Sequence, residues 1–187
     1  ETHLRLNMTA RGALSNLFVE VLQELPELED GGVLLRVRSV ALNFRDVLNV
    51  LGEYPGDPGP PGGDVGGIIA CDARRSWAML HGAVFGLGHA PLASMARALL
   101  PLLAPKPTVL SFEQASTLPV VWSTTHAVLE RACLRTGRRL VVHAAAGGVG
   151  LQAVEYSHRL GSLALGSAGR PQKHGQLRGA GVHARCS

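Results

Sequence analysis

With 187 residues, 46% of them hydrophobic, the chain can bury a core, and it has neither a signal-peptide pattern nor an apolar run of about 18 residues. We therefore expect a cytoplasmic protein without membrane contact. The formal net charge of +4 is concentrated after Glu155, where five basic and no acidic residues follow, and aromatic residues make up only 4%, so no nucleic-acid partner is expected.

The first part of the chain predicts antiparallel strands, most clearly in GGVLLRVRSVALN (31–43), where side chains alternate. FRDVLNVLG (44–52) has apolar residues at helical spacing before a glycine, which predicts a short helix. Proline and glycine dominate EYPGDPGPPGGDVGG (53–67), which predicts a loop, and IIAC and GAVFGLG then predict two further strands. Residues 89–110 fit either a helix or strands and loops, because four prolines interrupt them.

Two helices are predicted next, one beginning at Ser111 and one covering residues 124–132. The composition changes near Leu118, where a strand-rich and proline-rich part gives way to alternating helices and strands. We therefore predict an α/β protein with two domains, residues 1–117 and 118–187.

The second domain contains RLVVH (139–143), a continuous apolar run typical of a strand that is buried on both faces of a parallel sheet. AAAGGVG (144–150) follows directly, and the next helix, which stops at Gly161, is expected to carry one apolar face formed by Val149, Ala153, Val154 and Leu160. Three short segments come after this helix: SLALGS predicts a weak strand, QLRGAG a short helix and VHARCS the beginning of a third strand.

This order of strand, glycine-rich turn and helix is the order found in dinucleotide-binding loops. Small residues let the backbone approach a pyrophosphate, which the amides at the helix N-terminus then bind. Gly147 and Gly150 occupy the second and third glycine positions of the GxGxxG pattern, and Ala145 occupies the first. The alternative is that small residues here only allow the helix to pack against the sheet.

The segment after the next strand indicates which dinucleotide is bound. An acidic residue about 20 positions beyond the glycine loop binds the ribose hydroxyls of NAD, whereas a basic residue accommodates the 2′-phosphate of NADP. The sequence has Ser167, Arg170 and Lys173 in this region and no acid, which predicts NADPH. The alternative is that Arg170 and Lys173 belong to a solvated loop.

Other kinds of site find little support in the sequence. The eight histidines are scattered without an HExxH or CxxC arrangement, so we predict no metal. No GxSxG motif occurs, which argues against a serine hydrolase. Cys71 follows a predicted strand and Cys133 a predicted helix, and we interpret both as buried structural thiols.

Three blocks of the sequence keep the order and spacing of a known family: VRSVALNFRDVLNVLGEYPGDPGP (37–60), LSFEQASTLPVVWSTTHAVL (110–129) and RLVVHAAAGGVGLQAVEYSHRLG (139–161). The chain thereby resembles the enoyl reductase domain of modular polyketide synthases and animal-type fatty acid synthases, in the medium-chain dehydrogenase/reductase superfamily. The resemblance implies a GroES-like, β-rich lobe over residues 1–117 and a Rossmann lobe that begins at 118.

The resemblance also implies which residues form the site. Gly147, Gly148 and Gly150 hold the pyrophosphate, together with the intervening Val149 and with Ala145. Ser167, Arg170 and Lys173 are the residues expected at the adenosine end of NADPH.

Three further roles follow from the resemblance. Asn43 is expected near the nicotinamide and the substrate, and Thr124 near the carboxamide. A tyrosine at the place of Tyr54 is linked to protonation of the α-carbon, and a lysine at the place of Lys173 is the alternative proton donor. Zinc-dependent relatives carry a cysteine where Asn43 stands and a His-Glu pair where Gly63 and Asp64 stand, which also argues against a catalytic metal.

The implied reaction is the NADPH-dependent reduction of the α,β double bond of an enoyl thioester, carried on an acyl carrier protein beside neighbouring synthase domains. A stand-alone NADPH quinone oxidoreductase and an inactive fragment that binds nucleotide or RNA are the alternatives. The chain begins with Glu1, and only 37 residues follow the glycine loop. We therefore expect a C-terminally truncated piece of a longer polypeptide, with an incomplete Rossmann lobe that does not turn over substrate alone.

Overall fold

The computed structural model describes residues 2–72 and 82–182 of the chain. The chain divides into two compact units, residues 1–120 and 121–187. The assignment of different functions to residues 1–117 and 118–187 stays a prediction.

The first unit is built from antiparallel strands. Its described residues form a two-stranded hairpin, β1 and β2, and a five-stranded sheet in the order β6-β3-β4-β5-β7. Short 3-10 helices lie at Leu14–Asn16 and Leu100–Leu102. The strands are β1 (Leu4–Met8), β2 (Leu17–Val21), β3 (Gly32–Ala41), β4 (Asp64–Asp72), β5 (Ala83–Leu87), β6 (Met95–Leu99) and β7 (Leu103–Pro105).

The core of this unit lies on one face of the five-stranded sheet, because alternate side chains of a strand point to the same side. Val33 and Leu35 of β3 pack with residues of three neighbouring strands, namely Val65, Ile69, Val84 and Ala98. The strands predicted within residues 31–43 and at IIAC and GAVFGLG are therefore confirmed.

Strand β4 begins earlier than the sequence predicts. Asp64–Gly67 belongs to the strand, so the loop predicted over 53–67 is wrong at its end. The two glycines there are required by close packing and not by a turn: a Cβ added at Gly67 would lie 2.6 Å from the carbonyl oxygen of Arg36, and one at Gly66 would lie 3.1 Å from that of Phe112. Glycine in a strand often marks such an approach.

The ambiguous residues 89–110 form strands and loops with one 3-10 turn at Leu100–Leu102, and no α-helix. Strand β6 pairs antiparallel with β3, and β7 pairs with β5. The tertiary pairing with β3 decides the structure, since the local spacing of apolar residues fits both interpretations.

Two short helices of the first unit are confirmed. Helix α1 (Phe44–Val50) ends before Gly52, which has a φ of 73° and ends the helix in the left-handed conformation. Helix α2 (Phe112–Ser116) begins after Ser111, whose Oγ accepts the Gln114 N–H at 3.2 Å while Gln114 Oε1 accepts the Ser111 N–H at 3.0 Å. This reciprocal capping explains why the start of α2 is predictable.

The second unit has the order of helices and strands that the sequence predicts. Helix α3 begins earlier than predicted, at Pro119, a residue favoured in the first turn of a helix, and extends into this unit. Strands β8 and β9 pair in parallel and are connected through α4, which makes a βαβ unit. The elements are α3 (Pro119–Arg131), β8 (Arg139–Val142), α4 (Gly148–Arg159), β9 (Leu163–Gly166) and α5 (Pro171–Gly179).

Two predictions about the packing of this unit are wrong. Val149 is 41% exposed, because the buried face of α4 runs through Gly150, Val154 and Ser157. Val141 is 60% exposed, so β8 is not buried on both faces by the described residues. The third strand predicted at VHARCS begins at the last described residue and otherwise lies outside the described part of the chain.

The interpretation of the cysteines needs a correction. Cys133 is exposed and has a φ of 49°, because it lies in the turn two residues after the end of α3. Cys71 is half-buried on β4. Within residues 2–72 and 82–182, no helix combines the length and the apolar character needed to cross a bilayer.

We expect Leu35→Ala to lower the free energy of unfolding by about 2–5 kcal/mol, since Leu35 is 0% exposed and its removal leaves a cavity between β3 and its neighbours. Val109→Ala, at an exposed position, is the control and should change it by less than about 0.5 kcal/mol. Urea unfolding followed by circular dichroism measures both. Equal losses for the two variants would contradict this account of the core.

Candidate functional site

Two glycines in the turn between β8 and α4, Gly147 and Gly150, have different roles. A Cβ added at Gly150 would lie 2.6 Å from both the carbonyl oxygen of Ala144 and the Cα of Ala145, so only glycine allows α4 to approach the turn this closely. A Cβ added at Gly147 would meet only the Ala144 oxygen, at 3.3 Å. Packing therefore accounts for Gly150 but not for Gly147.

Gly147 is the N-cap of α4, a helix of 12 residues. The amides of Gly148, Val149 and Gly150 are in its first turn, where no carbonyl within the helix accepts their hydrogen bonds. Gly147 and Gly148 are exposed, while Ala145 is fully buried beneath the turn. A positive helix end with no side chain at its entrance fits the pyrophosphate of a dinucleotide.

Ser167 lies next to this turn. Its amide donates to the Val142 carbonyl at 3.0 Å, and its own carbonyl accepts the Ala145 N–H at 2.9 Å. Its hydroxyl is 3.0 Å from Nδ1 of His143. The sequence analysis did not name His143 as a site residue. The parallel pairing of β8 with β9 places Val142 opposite Gly166, so the next residues, His143 and Ser167, are neighbours.

Arg170 and Lys173 stand at the start of α5. Arg170 is the N-cap and Lys173 is in the first turn, which contains no acidic residue. Both side chains are exposed. Cations at a helix N-terminus are unfavourable, because the helix dipole is positive there, so this end of α5 would be stabilised by a bound anion.

Asn43 is placed by two buried carboxylates of the first unit. Its backbone N–H donates to Asp46 Oδ2 at 2.8 Å, and its side-chain Nδ2 donates to Asp64 Oδ2 at 3.0 Å. Asp46 is 7% exposed and Asp64 is 1% exposed. Asp64 Oδ1 also accepts the N–H of Val120 at 2.9 Å. Asn43 is therefore held between the start of α1 and the start of β4.

Burial raises the pKa of Asp64 above its ordinary value. The hydrogen bonds from Asn43 and Val120 lower the pKa and so oppose this effect, and the neighbouring charge of Asp46 raises it again. The sequence analysis named Asp64 only as a departure from zinc-binding relatives. A signal for Asp64 was present in the sequence: an acidic residue directly before an apolar strand has to find hydrogen-bond donors when it is buried.

Tyr54 lies in the loop that precedes β4, and side chains from elsewhere bind this loop. The Arg45 guanidinium carbon is 5.3 Å from the centre of the Tyr54 ring, and Arg45 donates to the Pro58 carbonyl at 3.0 Å. Asn49 donates to the Gly59 carbonyl at 3.0 Å. The proline-rich loop is thus attached to α1 at Tyr54, Pro58 and Gly59.

Arg11 is a second anchor of the loop that the sequence did not indicate. It donates to Asn49 Oδ1 at 2.9 Å and to Asp57 Oδ1 at 2.8 Å. The Gly59 N–H and the Arg11 guanidinium lower the pKa of Asp57. Asp57 therefore keeps its charge, and with it the hydrogen bonds to Gly59 and Arg11, in mildly acidic solution.

The predicted site residues fall in both units. Asn43 and Tyr54 lie in the first, and the residues of the glycine loop, Ser167, Arg170 and Lys173 lie in the second. Thr124 is exposed on α3. Their contacts with cofactor and substrate stay predictions.

Two other kinds of site, a metal cluster and a cavity, were considered among the described residues. No group of three or more His, Cys, Asp or Glu side chains that could hold a metal occurs among the described residues. A cavity of about 260 Å³ in the first unit is lined by residues such as Leu28, His89 and Arg97, and its described lining includes none of the predicted site residues.

Comparison with known proteins places the fold. No protein-family model matches the sequence. The chain is 36% identical over 174 residues to erythronolide synthase EryA2 of Saccharopolyspora erythraea, in a match that covers 91% of this chain and 5% of that protein. The structure of CurK enoyl reductase matches with a TM-score of 0.89 and 29% identity, over 100% of this chain and 60% of that chain. The quinone oxidoreductase of Thermus thermophilus, also solved in complex with NADPH, matches with a TM-score of 0.74 and 32% identity, over 90% of this chain and 55% of that one.

The fold is that of the medium-chain dehydrogenase/reductase superfamily, in which a GroES-like lobe precedes a Rossmann lobe. The chain is homologous to a segment of polyketide synthases, to which it is 32–38% identical over 86–95% of its length. It spans only 3–11% of the curated synthases that it matches.

We expect Gly150→Ala to lower the free energy of unfolding by more than about 2 kcal/mol, because the added Cβ has no room against Ala144 and Ala145. Gly147→Ala is the matched control. Its φ of −84° suits any residue, so the loss should stay below about 1 kcal/mol. Urea unfolding measures both, and an equal or reversed ranking would contradict the two roles assigned to these glycines.

Proposed function

We propose that this chain forms part of an enzyme that reduces the α,β double bond of an enoyl thioester with NADPH. The observation that carries the proposal is the open N-terminus of α4 at Gly147, beside Ser167 and the acid-free, cationic start of α5. Homology to polyketide synthases and similarity to CurK enoyl reductase support the choice of substrate class.

The second unit would bind the cofactor. Gly147, Gly148, Val149 and Gly150 would approach the pyrophosphate, with Ala145 supporting the turn from below. Ser167, Arg170 and Lys173 would bind the 2′-phosphate, and the similarity to a quinone oxidoreductase solved with NADPH agrees with this choice. Thr124 would contact the carboxamide.

NADPH, when bound, supplies a hydride to the β-carbon of the enoyl thioester. The electron pair of the double bond then moves toward the thioester oxygen, and the α-carbon takes up a proton. The protein must therefore provide a hydrogen-bond donor to that oxygen and a proton donor at the α-carbon. Asn43 has an amide for the first role, and Tyr54 has a hydroxyl for the second.

The position of Tyr54 supports its role as the proton donor. Its ring lies under Arg45, and the loop that carries it is attached to α1 through Asn49 and Arg11, so its position is constrained. Lys173 is the alternative donor. Its exposed place in the first turn of α5, near Arg170, supports a contact with the cofactor phosphate instead.

The proposed substrate is carried by an acyl carrier protein, and neighbouring synthase domains would be the physical partners of the chain. Reduction of a quinone is the second candidate function, because the Thermus thermophilus enzyme is 32% identical over 90% of this chain. Oxidation of NADPH with crotonyl thioester or with a quinone, assayed side by side in the native polypeptide, separates the two. Turnover with the quinone alone would contradict the first proposal.

We expect the native polypeptide, with the complete domain, to bind NADPH at least about tenfold more tightly than NADH, since one good charged contact contributes about 1.4 kcal/mol. Arg170→Ala combined with Lys173→Ala should remove the difference. Arg178→Ala, in the last turn of the same helix, is the matched control and should keep it. Fluorescence titration at one salt concentration measures all affinities. Equal binding of the two dinucleotides by the unchanged protein would refute the assignment.

Tyr54→Phe should leave the rate of hydride transfer within about tenfold but alter the configuration at the α-carbon of a methyl-branched product, since only the proton donor is removed. Tyr156→Phe is the control, because the Tyr156 hydroxyl contacts His126 instead, with 3.0 Å to Nδ1. Chiral analysis of the product made by the native polypeptide reads out both. Unchanged stereochemistry in Tyr54→Phe would mean that another group delivers the proton.

A further inference from the structure

Asp64 joins the starts of two helices through one buried carboxylate. Each of its oxygens accepts one hydrogen bond: Oδ1 from the Val120 N–H in the first turn of α3, and Oδ2 from the Asn43 side chain at the start of α1. Both partners are donors. A protonated Asp64 would direct its O–H at one of these N–H groups, so the observed pair of bonds requires the carboxylate.

The bond to Asp64 determines how the Asn43 amide is oriented. The nitrogen of this amide faces Asp64. The Asn43 backbone is held at the start of α1, because its N–H donates to Asp46 Oδ2 at 2.8 Å and its carbonyl accepts the Asp46 N–H at 2.9 Å. A primary amide has two N–H groups, and Asp64 accepts only one of them. Asn43 is half-buried, and among the described residues its Nδ2 forms a hydrogen bond only to Asp64, which leaves the second N–H for a ligand.

We propose that Asp64 is a positioning residue for the reduction proposed above: it holds the Asn43 amide so that the second N–H donates to the thioester carbonyl oxygen of the substrate. The inference rests on the proposed function. As negative charge develops on that oxygen, a donor already held in place stabilises the transition state more than the ground state. Asp64 touches neither substrate nor cofactor and acts through Asn43.

The first test is Asp64→Asn, which preserves shape but changes hydrogen bonding. The introduced amide can still accept the Val120 N–H, but its NH₂ group then faces the NH₂ group of Asn43. Turning the Asn43 amide relieves this conflict and misdirects its donor. We expect kcat for crotonyl thioester in the native polypeptide to fall by about 10²-fold, with KM for NADPH changed less than about threefold.

Exchanging Asn43 and Asp64 distinguishes an effect on stability from an effect on catalysis. Asn43→Asp combined with Asp64→Asn restores one donor and one acceptor between the positions, and aspartate caps α1 as well as asparagine does. We expect the resistance to urea to return toward that of the unchanged protein, while kcat stays low because position 43 has lost its N–H. Recovery of kcat in this double variant would overturn the proposal.

Ser116→Ala is the matched stability control. Ser116 is a buried side chain whose Oγ is 2.9 Å from that of Ser39, so its loss should weaken the same unit without changing kcat. A fall in kcat equal to that of Asp64→Asn would mean that loss of stability alone explains both.

A readout that does not need turnover comes from NMR of the Asn43 side chain. In the unchanged chain we expect two well-separated Nδ2 proton signals, one of them slow to exchange, and a changed pattern in Asp64→Asn. Identical spectra would overturn the positioning role. If the unchanged protein reduces no enoyl thioester, the proposed function fails, and the NMR and urea measurements still decide whether Asp64 orients Asn43.

Discussion

Two buried carboxylates, Asp46 and Asp64, hold the first unit together where its predicted site residues lie. All four of their oxygens accept hydrogen bonds, from Gly62, from Val120 and from the backbone and side chain of Asn43. Burying a carboxylate is unfavourable unless such bonds compensate it. The starts of α1, β4 and α3 are consequently tied to one another, since displacing any one of them would leave a buried oxygen without its donor.

In the second unit, the proposed binding site depends on two glycines, which lack side chains, and on two neighbouring cations. Gly150 lets α4 come within contact of the turn after β8, and Gly147 leaves the end of that helix open. Beyond β9, Arg170 and Lys173 stand where a helix would favour acidic residues. Both features cost stability in the free protein and suit an anionic ligand, a combination expected at a binding site and not in a structural core.

The proposed chemistry divides between the units accordingly. Asn43 and Tyr54, the hydrogen-bond donor and the proton donor of the proposal, lie in the first unit on α1 and on the loop attached to it. The residues proposed for the cofactor lie in the second, on the turns that follow β8 and β9. A β-rich lobe followed by a βαβ unit is the order found in the enzymes of this superfamily whose structures match the chain.

Features that depend on neighbouring residues could be predicted from the sequence: helix α1 with its glycine end, the start of α2 at Ser111, and the strand, glycine turn and helix from β8 to α4. Such features follow from capping and from the periodicity of apolar residues, which act within a few positions. The family resemblance rests on the same local blocks.

Other features depend on contacts between residues far apart in the chain. Asp64 meets Val120 from 56 positions away, and His143 meets Ser167 from 24 positions away, so no local pattern could indicate either contact. Residues 95–99 form a strand because β3 offers a pairing edge, and Val149 is exposed because Gly150, not Val149, fits against Ala144. For the two hydrogen bonds and for the strand, the deciding energy is a contact between segments distant in the chain, and the residue types alone do not contain it.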